Sequence, residues 1–298
     1  MILFLSAAAG HAQQRIMYTQ YMFNGLILNP AYAGTDKFAN ITAQGRQQWS
    51  GYKGAPNSQM ISAHMPLPNK KTGLGVLLEK ETMGVTDVYH SYVMYSYKLK
   101  MRKSTLSFGL QAGVATYREE LTTLSLPAGS NDPNFANTTT YTQPNFGAGI
   151  YYYSHNFYLG FSVPSIMQNI LSPDDPLVLS EVRHYFLTCG YLIKLSPTLK
   201  LKPNFLLKAV GGAPINLDMN LNLLIDDVVW VGCSYRMENA VNPLVEVQLN
   251  KKLRFGLSYD IPISDIGSAD FRSASPEVMI NYRFVKLVPN TVVSPRYF

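Results

Sequence analysis

The strongest constraint on the fold is a nine-residue segment, residues 215–223, with the sequence INLDMNLNL. Every odd position carries Ile, Leu or Met, and every even position carries Asn or Asp. A period of two places apolar side chains on one face of a β-strand and polar side chains on the other. The segment therefore predicts a strand in a sheet that has one apolar face and one wet face.

The same alternation recurs along the chain, for example in residues 106–114, 253–260 and 278–284. We predict about fourteen strands, many of them about ten residues long, which is the length that a tilted strand needs to cross a bilayer. Helical periodicity is not sustained after the N-terminus. The strand centres are predicted near residues 44, 61, 77, 94, 110, 148, 160, 189, 204, 219, 232, 246, 256 and 280.

The connections between the predicted strands alternate in length. Every second one is a short turn, as at 101–102 and 155–156, whereas those near 118–143 and 165–182 are long. Short turns at one end and long loops at the other are typical of outer-membrane barrels. The predicted fold class is all-β: a transmembrane antiparallel outer-membrane β-barrel of about 14 strands, with both termini periplasmic. A soluble β-sandwich is the alternative, but it gives no reason for loops to segregate by length.

Charge follows the same division between the two ends. Basic residues lie at the predicted periplasmic end: Lys70, Lys71, Arg102, Lys103, Lys251, Lys252, Lys286 and Arg296. Acidic residues lie in the predicted outer loops: Glu119, Glu120, Asp132, Asp174, Asp175, Glu181, Asp265 and Asp270. Ordinary solvated turns explain this pattern, and so does a periplasmic docking surface for an acidic partner. Because Lys and Arg are scattered rather than clustered, we expect no nucleic-acid partner.

Catalytic motifs are absent from the sequence. It has no H-E-x-x-H motif, no P-loop and no nucleophile elbow, and its five His residues are scattered. We therefore expect no enzyme activity, no cofactor and no metal. The strand parity places Cys189 and Cys233 towards lipid, which makes a structural disulfide between them improbable.

Strand parity also predicts which polar side chains point into the barrel. The predicted inward set is Gln44, Arg46, Gln48, His64, Glu79, Glu81, Lys98, Gln111, Lys200, Lys202, Asn204, Lys208, Asn216, Asp218, Asn220, Arg236, Glu246, Gln248, Arg254, Asp260, Glu277 and Arg283. Two interpretations remain open. These groups pair with one another and fill a wet barrel, or they line a lumen that receives an inserted peptide or plug.

The ends of the chain differ from its middle. Residues 1–12 are predicted to be a signal peptide, because a short apolar run precedes small residues at an A-x-A-like site. Residues 13–37 lack period two and are rich in aromatics, so they are predicted to be an N-terminal plug or, alternatively, a flexible periplasmic leader. The barrel is predicted over 38–286. A periplasmic tail follows over 287–298, where prolines prevent a regular strand.

Several short motifs carry a resemblance to a known family. They are YTQYMFN at 18–24, NPAYAG at 29–34, RQQW at 46–49, GAP at 54–56, SAH at 62–64, GLG at 73–75 and PRYF at 295–298. In this order, over essentially the whole mature chain, the sequence resembles the PorP/SprF family of type IX secretion and gliding outer-membrane proteins of the Bacteroidota.

The resemblance implies a non-enzymatic outer-membrane barrel. It would bind and anchor a secreted type IX cargo or adhesin through that protein's C-terminal domain, or couple to a periplasmic ring lipoprotein. A passive channel or transporter for small solutes is the alternative. The candidate partner-binding residues in the lumen and the N-terminal segment are Tyr18, Tyr21, Phe23, Asn29, Pro30, Arg46, Gln48, His64, Glu79, Lys200, Lys202, Asp218, Arg236, Arg254 and Arg283. The candidate C-terminal docking residues are Arg296, Tyr297 and Phe298.

Overall fold

The computed structural model describes residues 16–123, 138–167, 182–237, 240–263 and 274–285. They form a single antiparallel sheet in which consecutive strands pair with one another. The first strand also pairs with the last, with Asn40 opposite Arg283, so the sheet closes into a barrel. The predicted outer-membrane barrel of fourteen antiparallel strands is confirmed.

Each predicted strand centre falls inside the corresponding observed strand. The eighth strand is interrupted at Leu192 and resumes as Ile193–Lys194, which still pairs with the next strand. The strands are β1 Asn40–Gln47, β2 Asn57–Pro66, β3 Thr72–Met83, β4 Thr86–Lys100, β5 Ser104–Glu120, β6 Thr138–Ser154, β7 Phe157–Val163, β8 His184–Tyr191, β9 Leu199–Val210, β10 Asn216–Ile225, β11 Val229–Arg236, β12 Ala240–Gln248, β13 Leu253–Pro262 and β14 Ser275–Arg283.

The connections at one end of the barrel, which we call the short-turn end, are all short, whereas the opposite end, the long-loop end, has the long connections and also the two-residue turn 84–85 between β3 and β4. The prediction of a loop over 118–143 is wrong at both of its ends, because β5 and β6 each run for 17 residues. Glu119 and Glu120 accordingly belong to β5 rather than to an outer loop. The sequence TTTYT at 138–142 lacks apolar alternation, but Thr and Tyr favour strands through their branched and aromatic side chains.

The outer face of the barrel is apolar. Leu221, Leu257 and Ile280 are exposed, as strand parity predicts for side chains that face lipid. Cys233 is exposed and Cys189 is half-buried. Within the described part of the chain, no helix is long and apolar enough to cross a membrane.

The boundaries predicted for the signal peptide and the C-terminal tail stay predictions. Residues 1–12 and 287–298, including Arg296, Tyr297 and Phe298, lie outside the described residues.

Candidate functional site

The barrel lumen is occupied by the chain's own residues Ile16–Gly34, which we call the lumenal segment. It contains three short 3₁₀ turns: Tyr21–Phe23, Gly25–Ile27 and Pro30–Tyr32. Its side chains from Tyr18 onwards are buried, apart from partly buried Gly25, and they form the main hydrophobic cluster together with inward side chains of the wall. Backbone hydrogen bonds within the turns satisfy only part of the segment's amides and carbonyls, so the wall must supply partners for the other buried ones.

The lumenal segment runs along the barrel from one end towards the other. Thr19 lies beside Asp260, near the long-loop end of β13. Further along the chain, Asp36 forms an ion pair with Arg283 at 2.8 Å, at the short-turn end of β14. The segment therefore fills the lumen over most of the barrel's height.

Charged wall residues hold the beginning of the segment. The Arg46 guanidinium bonds the Asp260 carboxylate at 2.7 Å and lies 3.5 Å from Glu277. The two oxygens of Glu277 accept hydrogen bonds from the backbone N–H groups of Thr19 at 2.8 Å and Gln20 at 3.0 Å. One buried carboxylate thus satisfies two backbone donors of the segment, and an arginine compensates its charge.

A second arginine extends this network across the lumen. Arg236 lies 3.3 Å from both Asp218 and Asp260, so Asp260 is shared between Arg236 and Arg46. All four side chains are nearly or fully buried. Because each charge has an opposite partner, the network avoids the penalty of an isolated buried ion.

The aromatic side chain of Phe23 packs against two cationic side chains of the wall. The Phe23 ring centroid lies 5.6 Å from the Lys202 ammonium and 5.8 Å from the Arg254 guanidinium, and its ring contacts Trp230. The Lys202 ammonium also donates a hydrogen bond to the Met22 carbonyl at 3.5 Å. Cation–π attraction strengthens where water is excluded, so Phe23 is an anchor of the segment.

Serine hydroxyls and one lysine hold the end of the segment. Its carbonyl groups accept hydrogen bonds from serines on three strands: Ser96 on β4 to Ala33 at 2.7 Å, Ser107 on β5 to Ala31 at 2.7 Å, and Ser162 on β7 to Leu28 at 2.6 Å. Lys98 donates to the Gly34 carbonyl, and His64 Nδ1 accepts from the Gly34 N–H at 3.1 Å. The wall therefore binds the NPAYAG motif mainly through its backbone.

Glycines in the wall allow this close approach. A Cβ atom on Gly109 would lie 2.1 Å from the Ala31 nitrogen, and one on Gly149 would lie 2.1 Å from Asn29 Oδ1. Asn29 also caps the third 3₁₀ turn, since its side chain accepts from the Ala31 N–H, and its amide donates to the Ile150 carbonyl at 3.0 Å. A larger residue at either glycine would push the segment off the wall.

The structure places nearly all the candidate partner-binding residues of the sequence analysis in the lumen. Two lie at its rims: Lys200, which is buried on the inner face of β9, pairs with Asp227 in the β10–β11 turn, and Gln48 follows β1 and is half-buried. The lumenal candidates are Tyr18, Tyr21, Phe23, Asn29, Pro30, Arg46, His64, Glu79, Lys202, Asp218, Arg236, Arg254 and Arg283.

The candidate set omitted the wall serines and glycines. Their signal in the sequence is the run of small inward residues in β3 to β7, where Ser107 and Gly109 alternate with outward apolar residues.

Comparison with known families identifies the chain. A sequence model described as "Type IX secretion system membrane protein PorP/SprF" matches residues 10–282. The chain belongs to the PorP/SprF family. This match contains the complete lumenal segment and thirteen whole strands, and it ends inside β14. No curated protein matches this PorP/SprF chain in sequence.

Two solved barrels are similar in fold. The Ralstonia pickettii toluene transporter TbuX has a TM-score of 0.52 at 9% identity, covering 88% of this chain and 93% of TbuX. The CymD monoaromatic hydrocarbon channel has a TM-score of 0.50 at 10% identity, covering 87% of this chain and 91% of CymD. At such identities the likeness shows the fold alone. Family and fold together support an outer-membrane location in contact with lipid and point to a non-enzymatic protein.

Proposed function

We propose that this PorP/SprF protein is a non-conducting outer-membrane anchor. It binds a secreted type IX cargo or adhesin through that protein's C-terminal domain, and its periplasmic face couples to the secretion ring. The observation that supports this proposal is the lumen filled by residues 18–34. A filled lumen leaves the two rims of the barrel, rather than its interior, as the surfaces for partners.

The proposed orientation places the short turns in the periplasm and the long loops outside. Exposed basic side chains are concentrated at the short turns: Lys70, Lys71, Arg102, Lys103 and Lys251. At the same end the β10–β11 turn contributes the exposed acidic Asp226 and Asp227. A cluster of one charge sign attracts a partner of the opposite sign and speeds its association. These turns are therefore the proposed docking surface for an acidic periplasmic partner.

The outer rim is proposed to receive the cargo. A strand of about ten residues suffices to cross a bilayer, whereas β4, β5 and β6 have 15 to 17 residues. Their long-loop ends would stand above the membrane as a rigid wall beside the mouth. Tyr117 packs there with Val88 and Tyr141, so this wall has a small apolar cluster of its own.

Conductance distinguishes an anchor from a channel. In planar bilayers we expect the purified protein to stay closed. Replacing residues 18–34 by a Gly/Ser linker of equal length should open it, because the linker keeps the covalent connection but loses the lumenal contacts. A large, steady conductance of the unaltered protein would instead support the alternative, a passive channel for small solutes.

Partner retention tests the anchor directly. We expect the tagged barrel, purified from its own cells, to retain a secreted surface protein. The double variant Lys70→Glu/Lys71→Glu should release an acidic periplasmic partner and keep the surface protein, whereas Lys70→Arg/Lys71→Arg should keep both. Recovery of the barrel without any secreted protein would overturn the proposal.

A further inference from the structure

The outer wall of the barrel contains a groove at β7. This strand ends at Val163, and the next residue, Pro164, turns inward, where its carbonyl accepts a hydrogen bond from Gln111 at 2.7 Å. The wall is therefore indented between β6 and β8. The resulting groove has a volume of about 620 Å³, and its lining includes Tyr97, Phe108, Leu110, Ala148, Phe161 and Tyr185.

The lining side chains point away from the lumen. Leu110, Phe161 and Tyr185 are all exposed on the outer face, and the small side chain of Ala148 lies between Leu110 and Val163 in the strand register. In an outer-membrane barrel this face lies against lipid tails. An apolar concavity at that depth is filled by hydrocarbon rather than by water.

Outward aromatic side chains indicate the height of the groove. On three strands an exposed tyrosine lies within three residues of the long-loop end: Tyr185 on β8, Tyr235 on β11 and Tyr259 on β13. Aromatic girdles mark the interfaces of membrane barrels. The groove therefore extends from the outer interface, at Tyr185, down into the hydrocarbon region.

One cation lines the top of this groove. Arg183 lies just before β8, two residues from Tyr185, and it is among the residues that line the groove, so it lies at the level of the lipid headgroups. Its Nε and Nη2 atoms both donate to the Ile166 carbonyl, at 2.9 Å and 2.6 Å. These two hydrogen bonds fix the guanidinium and leave its other N–H donors for an anion, and phosphate, the anionic group of membrane lipids, accepts such donors in a planar, two-bonded geometry.

We propose that this groove binds one phosphate-bearing glycolipid of the outer leaflet. The phosphate bonds Arg183, and an acyl chain lies along Tyr185, Phe161 and Ala148. The choice of leaflet rests on the proposed orientation with the long loops outside. The site lies on the lipid-facing wall, so it is separate from the two rims that the anchor function uses.

Native mass spectrometry of the delipidated, detergent-solubilised protein tests the site with diphosphoryl lipid A as the probe. We expect one lipid A molecule per barrel. Arg183→Gln should weaken binding roughly ten-fold, as expected for the loss of a charge-assisted bond. Ala148→Leu should weaken it as well by filling the groove.

Two control variants should bind lipid A like the unaltered protein. Arg118→Gln changes a charge outside the groove, and Ala43→Leu adds bulk on the opposite side of the barrel.

Heat-modifiable gel mobility shows whether each variant has formed a folded barrel, so that loss of binding is read only from folded protein. Equal binding of lipid A by folded Arg183→Gln, folded Ala148→Leu and the unaltered protein would overturn the site. Equal binding of phosphatidylglycerol and lipid A would overturn the assignment to a glycolipid, and equal binding of diacylglycerol would overturn the role of the phosphate.

Discussion

The wall holds the two halves of the lumenal segment in different ways. The first half, Tyr18–Phe23, is bound by buried charges that are contributed by β1, β9, β11, β13 and β14. The second half, Leu28–Gly34, is bound mainly by serine hydroxyls and lies directly against glycines of the wall. The first half is therefore held by pairing of opposite charges, and the second by close packing against wall residues that have no side chain.

This difference determines which kind of substitution weakens the binding of each half to the wall. Removing one member of a buried ion network leaves another charge without its partner, which is far more costly than losing a neutral hydrogen bond. Adding atoms has the larger effect on the second half, because its backbone already touches the wall. Four predictions test this contrast, from the largest expected effect to the smallest.

Arg46→Met should be the most damaging substitution. It leaves the carboxylates of Asp260 and Glu277 close together without the arginine between them, and breaking a buried pair costs about 3–5 kcal/mol. Urea unfolding in detergent micelles measures the loss. The matched control is Arg118→Met, whose pair with Glu120 is exposed and should contribute no more than about 1 kcal/mol. Equal losses of unfolding free energy in Arg46→Met and Arg118→Met would contradict a special role of the buried charges in holding the first half.

Gly109→Ala should displace the second half of the segment. Its new methyl group would overlap the Ala31 nitrogen, and overpacking of this kind costs about 1–3 kcal/mol. We also expect single-channel openings that the unaltered protein lacks. Gly45→Ala is the control, because a Cβ atom there has nothing within 4 Å. If the two alanine variants behave alike, contact between the segment and the wall does not limit stability.

Double-mutant cycles measure the coupling energy between two substitutions, and we expect this energy to be larger in the first half of the segment than in the second. Arg46→Met and Arg236→Met share Asp260, so their effects should couple by about 0.5–3 kcal/mol. Ser96→Ala and Ser162→Ala act on different carbonyls and should add within about 0.5 kcal/mol. Additive arginine effects would contradict a single charge network.

Ser162→Ala should have the smallest effect. It removes one neutral hydrogen bond to the Leu28 carbonyl, worth about 0.5–1.5 kcal/mol. Thermal unfolding followed by gel mobility measures it. A loss as large as that of Arg46→Met would mean that the serines carry more than single hydrogen bonds.

The sequence predicts the barrel well because alternation is a local signal. Every strand centre was predicted, and parity assigned Arg46 and Glu277 to the lumen, where the structure places them buried. Parity cannot say which inward groups meet, since that depends on the closure of β14 against β1. The error at β5 and β6 has a different cause, because the ends of these strands at 118–120 and 138–142 lack the apolar alternation by which strands are recognised.

The lumenal segment was harder to predict for a physical reason. It has no period, and its contacts lie far away along the chain: Ser107 meets Ala31 across 76 positions. Small inward residues such as Gly109 indicate a closely packed lumen, but they do not indicate what fills it. The aromatic content and missing alternation of residues 13–37 predict a plug, but they do not indicate which wall residues it meets.

The closing seam of the barrel has a consequence for the order of folding. Glu277 lies on the last strand, and it bonds the backbone of Thr19, which is 258 residues earlier in the chain. Because loops this long close slowly, contacts of high sequence separation form late. The first half of the lumenal segment therefore has no complete binding site until β14 arrives. The segment then becomes fixed in the same kinetic step in which β14 pairs with β1. Before that step, in an incompletely closed barrel, the first half of the segment would be unbound.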